Sequence, residues 1–180
     1  MSATATTTTT NDAIEDARRR IDRLHAFARS DAAADSSRIW RHLDALRREE
    51  AALLAAARET PSEIEEKLGQ LRTRLAVAEN ALVADISDEW ASFAAAVEDE
   101  LRSWGVYLER VQATAARAGT ARARAEAAIA DVRTERIAVH DRLTQARENV
   151  NGSWHEQRDH VSAARDELER KADELPATIQ

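Results

Sequence analysis

Cysteine is absent from this 180-residue chain, glycine occurs four times, proline twice, and aromatic residues make up only 4%. Without cysteine there is no disulfide framework, no thiol nucleophile and no cysteine-ligated zinc. With so little glycine and proline, long stretches contain no strong helix breaker. A run of about 18 apolar residues, enough to cross a bilayer, is missing as well. The opening MSATATTTTTND carries neither a basic start nor an apolar run, so no secretory signal is expected and the cytoplasm is the expected compartment. Excess basic charge is also lacking. The formal net charge is −7, and the basic face that nucleic acid demands is not expected.

What is present is alanine, 39 residues of it, against 33 for Leu, Ile, Val and Phe together. Alanine is the best helix former, and a core supplied mostly by methyl groups must be thin. The apolar residues fall on helical periods. From Ile64 they run through Leu68, Leu71, Leu75, Ala78, Leu82, Ile86, Trp90, Phe93, Val97, Leu101, Trp104, Leu108 and Val111 to Ala115. Every step is three or four residues, which makes one stripe on one helix. A second stripe runs from Ile129 through Val132, Val139, Leu143, Ala146, Val150, Trp154, Val161, Ala164, Leu168 and Ala172 to Leu175. The first third is less regular: Ile14, Ala17, Ile21, Leu24, Ala28, then Ile39, Leu43, Leu46, Leu53, Ala57.

Two punctuation marks divide these stretches. Thr60, Pro61 and Glu63 form a helix start, with a capping residue, proline at the first helical position and a capping-box acid. Gly119 and Thr120 suit an end followed by a new start, and Pro176 stops the last helix. The expected architecture is all-α: an elongated, coiled-coil-like antiparallel three-helix bundle with helices of about 11–59, 61–118 and 120–175. It forms a single domain over 11–175, preceded by a disordered Thr-rich tail (1–10) and followed by a short tail (176–180). The polar stretches at 35–37, 85–88 and 149–153 are the places where those helices would break, the last above all, because Asn149, Asn151 and Gly152 are poor helix formers. In the full-length register Trp40, Trp90 and Trp154 share one level as a core layer, with Ser37, Ser87 and Ser153 as indole partners. The same register sets Arg18, Arg19, Arg20 and Arg23 opposite Glu98, Asp99 and Glu100.

Chemistry is sparse. HEQRDH (155–160) resembles the zincin HExxH, but its histidines are five apart and cannot share one metal in that manner. Asp22 and His25 stand alone where a di-iron bundle needs Glu-x-x-His on two helices. Trp104-Gly105 resembles the WxG turn of small helical hairpins, yet the stripe continues through it, so a core position is expected. By composition the chain looks like phasins, the helical coats of storage granules, and in outline it resembles BAR-type and spectrin-type three-helix modules. No diagnostic motif assigns it to any of these. No enzyme activity, cofactor or metal is expected. The expected function is a helical scaffold or protein–protein interaction module whose partner is another protein or a second copy of the chain. The alternative is a phasin-like protein of lipid or granule surfaces. Val83, Ala94, Ala95, Val106 and Tyr107 lie off the main stripe and are the expected partner-facing residues.

Overall fold

A computed structural model describes residues 2–30, 37–55, 60–117, 122–149 and 152–175. The described residues carry six α-helices where three long ones were expected: α1 Ser2–Ala28, α2 Ser37–Ala55, α3 Pro61–Ile86, α4 Trp90–Ala115, α5 Arg122–Glu148 and α6 Trp154–Asp173. All three long segments are divided. Helix α1 ends at Ala28, α3 at Ile86 and α5 at Glu148. Two further corrections follow. Helix α1 begins at Ser2, so residues 2–10 are helical rather than a disordered tail. The chain also divides into two units, Met1–Leu82 and Val83–Gln180, where one bundle was expected over 11–175. The expected Gly119–Thr120 turn, the Pro176 stop and the 176–180 tail lie outside the described residues.

The start of α3 is formed as its sequence dictates. The Glu63 amide donates to Thr60 Oγ1 at 3.4 Å, and the Thr60 amide donates to Glu63 Oε2 at 2.8 Å. Two of the amides that every helix start leaves unpaired thus find partners. In the first unit one core draws Ala17, Ile21 and Leu24 from α1, Ile39, Leu43 and Leu46 from α2, and Leu68, Leu71 and Leu75 from α3. Helices α1 and α2 are antiparallel: Arg18 pairs with Glu50, while His25, further along α1, meets Trp40, earlier in α2.

The second unit contains the last turn of α3 and all of α4, α5 and α6. Arg133 bonds Gln112 and Arg147 bonds Glu98, so α5 runs antiparallel to α4. Phe93 meets Trp154 and Glu100 meets Arg165, so α6 runs parallel to α4. Its core holds Phe93, Val97, Trp104 and Leu108 from α4, Ile129, Val132, Val139 and Leu143 from α5, and Val161 and Leu168 from α6. Mid-helix Gly105 has a packing reason. A Cβ there would stand 3.3 Å from Arg136 Nη1, and that nitrogen donates to Leu101 O at 3.2 Å. The missing side chain lets an α5 guanidinium lie on the α4 backbone.

Candidate functional site

The densest chemistry in the described residues is a buried charge cluster with an aromatic lid, built in the second unit from α3, α4 and α6. Its centre is Arg165 of α6, fully buried at 0% exposure. Arg165 Nε donates to Glu100 Oε2 at 2.8 Å, and Nη2 lies 2.7 Å from the same oxygen. Its Nη1 donates to Asp85 Oδ1 at 2.9 Å. The other Glu100 oxygen, Oε1, accepts from the Trp104 indole at 3.4 Å. Both carboxylate oxygens of a residue 1% exposed are therefore occupied, as burial of a charge demands. Burial alone would push the Arg165 guanidinium down. The negative charges of Glu100, Asp85 and Glu169 outweigh that, and Arg165 titrates above an ordinary arginine.

The aromatic part lies beside it. Trp90 meets Trp154 edge-on with centroids 5.7 Å apart, Phe93 meets Trp154 at 5.4 Å, and Trp90 and Phe93 are 5.9 Å apart. Arg158 caps them, its guanidinium carbon 5.5 Å from the Trp154 ring and 5.8 Å from Phe93. Its Nη2 also donates to the main-chain oxygen of Asp85. Asp85, one residue before the end of α3, is thus held twice from α6: by its carboxylate through Arg165 and by its carbonyl through Arg158.

Of the three expected layer tryptophans, Trp90 and Trp154 are brought together and both are half-buried. Trp40 belongs to the first unit, where its ring contact is His25, edge-on at 5.3 Å. Desolvation, with Arg29 and Arg47 nearby, pushes the His25 pKa down. Two of the three serines play other parts than indole partners. Ser153 caps α6, accepting from the Glu156 amide at 3.2 Å in a second capping box. The Ser87 hydroxyl donates to Val83 O at 2.7 Å. The charges of that expected register find partners inside their own units. Glu98 pairs with Arg147, Asp99 with Arg102 and Glu100 with Arg165, while Arg18 pairs with Glu15 and Glu50 and Arg20 with Glu79.

Among the expected partner-facing residues, Val83, Ala95 and Val106 are exposed. Ala94 and Tyr107 are buried, at 3% and 4% exposure, and are corrected to packing positions. Their place on α4 explains it, because they flank the Val97–Leu101–Trp104 stripe on its two sides and its buried face is wider than the stripe. Among the described residues no group of three or more His, Asp or Glu side chains could hold a metal ion.

Sequence reasoning missed Arg165 and placed Glu100 in a charge register with the first helix rather than in a buried pair. Each stands in phase with an apolar stripe, Glu100 between Val97 and Trp104, and Arg165 between Val161 and Leu168. One acid and one base of opposite sign, each at a core position of a different helix, was the signal to read. No protein-family model, curated protein or solved structure matches the chain.

Proposed function

We propose that the chain is a non-enzymatic helical scaffold whose second unit presents an apolar surface to a protein partner, a second copy of the chain being the first to test. The observation that carries this reading is a set of large apolar side chains left in solvent on that unit: Val83 49%, Ile86 53%, Val106 46% and Ile137 57% exposed. The antiparallel register that pairs Arg133 with Gln112 and Arg147 with Glu98 sets Val106 and Ile137 at the same level of α4 and α5. Scattered exposed apolar residues are ordinary, but several on one unit are the usual material of an interface. The charge cluster beside them is consistent with a structural role, since its central arginine and glutamate are occupied with one another. Nucleic acid is not a proposed partner, and the cytoplasm is the compartment this reading assumes.

Sedimentation equilibrium tests it. The expected mass exceeds the 20.0 kDa monomer at micromolar concentration, and Val106→Glu with Ile137→Glu returns the protein to monomer. A wild-type protein that stays monomeric throughout would remove self-association. The second reading is a lipid- or granule-surface protein. Its support is Trp90 and Trp154, two half-buried indoles brought together, since tryptophan suits a boundary with one wet and one apolar side. No described helix is long and apolar enough to cross a membrane. Flotation with neutral vesicles decides: protein that stays in the dense fraction rules this reading out.

A further inference from the structure

The apolar stripe of residues 64–115 keeps helical phase straight through the gap between α3 and α4. Leu82, Ile86, Trp90, Phe93 and Val97 step by four, four, three and four. The gap itself, Ser87–Glu89, contains neither glycine nor proline. Helix α4 starts on Glu89, whose side chain makes no capping bond. Phe93 is the first α4 residue whose amide finds a carbonyl of its own helix, Glu89 O at 3.0 Å. The amides of Glu89 to Ser92 therefore start the helix without a side-chain cap. Locally, only the Ser87 hydroxyl on Val83 O and a tightened Ser87 amide to Ala84 O at 3.2 Å mark an end.

What occupies the junction comes from α6. In a continuous helix the Asp85 carbonyl would accept from the Glu89 amide, four residues on. Here Arg158 Nη2 already donates to that oxygen. A basic side chain closing off a last-turn carbonyl is an ordinary helix ending, but this one is supplied from another helix. Arg165 fixes the same residue through its carboxylate. Meanwhile Ile86, the last residue of α3 and in sequence phase with Leu82 and Trp90, stands 53% exposed at the junction.

We propose that the α3–α4 break is a switch held open by a clamp: Arg158 and Arg165 of α6 grip Asp85, and release of that grip lets Ser87–Glu89 join α3 and α4 into one helix. This inference does not rest on the proposed partner surface, although the two share Ile86. The two states differ by a small set of interactions. The open state has the two arginine contacts and the Arg158 stacking on Phe93 and Trp154. The closed state has backbone bonds for the Glu89–Ser92 amides, with the helix continuing from Ile86 through Ser87–Glu89 into α4. Whatever draws Arg158 away from Asp85, a competing anion or a partner carboxylate, shifts the population toward the closed state.

The test is residue-resolved amide exchange by NMR on the full chain, with two variants that separate the clamp from the local signal. Arg158→Gln with Asp85→Ala removes both grips and leaves Arg165 paired with Glu100, so no buried charge is orphaned. Ser87→Ala with Asp88→Ala removes the local ending and leaves the clamp. The expected result is that the clamp variant slows exchange of the Glu89–Ser92 amides by about 10-fold or more, with helical carbon shifts through Ser87–Glu89. The local variant should leave both unchanged. The proposal is overturned if the local variant alone closes the break. It is overturned equally if the clamp variant leaves those amides as fast as in the wild type. Loss of protection throughout α4, α5 and α6 in the clamp variant would also sink it, since the arginines would then be holding the whole unit together rather than one junction.

Discussion

The second unit contains two helix junctions made in opposite ways. At 149–153 the chain stops by its own code. Gly152 packs so tightly that a Cβ would stand 2.6 Å from Asn149 Nδ2 and 2.8 Å from Gln157 Nε2. Gln157 donates back to Asn149 O at 2.6 Å, and Ser153 with Glu156 caps the new helix. At 87–89 there is no glycine and no side-chain cap, and the ending is supplied by two arginines some 70 to 80 residues further on. Local endings survive changes elsewhere in the fold. Borrowed ones depend on the lender, and are therefore the ones a fold can switch.

Breaking the lender should have the largest effect. Arg165→Ala leaves Glu100 buried without its cation, at an expected cost of about 3–5 kcal/mol in urea unfolding. A loss below about 1 kcal/mol would mean that Glu100 relaxes to water and that the network is not a core element. Next comes the local cap. Ser153→Ala should cost about 1 kcal/mol and speed exchange of the Glu156 amide, whereas Glu89→Ala, at the equivalent place on α4, should change stability by less than about 0.5 kcal/mol. Equal costs at the two positions would erase the distinction between them. The reverse change sharpens it: Glu89→Ser writes a local start for α4 and should add up to about 1 kcal/mol, visible as a higher unfolding midpoint. The smallest effect belongs to the exposed tether at the end of α5. The bond from Arg147 holds the Glu98 carboxyl below the usual carboxylate range, partly opposed by desolvation. A carboxyl whose folded pKa is lowered stabilises at neutral pH, and that stability is lost as pH falls from the ordinary value through the lowered one. Stability measured between pH 6 and 3 should therefore fall less steeply in Arg147→Gln than in the wild type.

Much of the core was legible from periodicity. Leu68, Leu71, Leu75, Phe93, Val97, Leu101, Trp104, Leu108, Ile129, Val132, Leu143, Val161 and Leu168 are all on the expected stripes and all buried. The Thr60–Glu63 start was legible because every component of it lies within four residues. The α3–α4 break was legible only as one of three candidate breaks, at 85–88, and periodicity could not decide it, because the phase of the stripe is preserved across Ser87–Glu89. The α5–α6 break could have been placed firmly: Ser153-x-x-Glu156 is a capping box in plain sight, set just after Gly152. In the candidate site the tryptophans drew attention by rarity. The charges that organise it did not, because reading a stripe by its apolar members passes over Glu100 and Arg165, which occupy the same face.

Gly105 has a consequence of another kind. Alanine in its place would favour the helix by about 1 kcal/mol, so its value is not in holding α4 together. It is a notch, and the Arg136 guanidinium seated against Leu101 O is the key. Helices packed ridge into groove could in principle re-register by a turn. Moved by one turn, the key meets side chains instead of a bare backbone. The bare backbone at Gly105 thus adds an index mark between α4 and α5 to the Arg133–Gln112 and Arg147–Glu98 bonds that also hold their register.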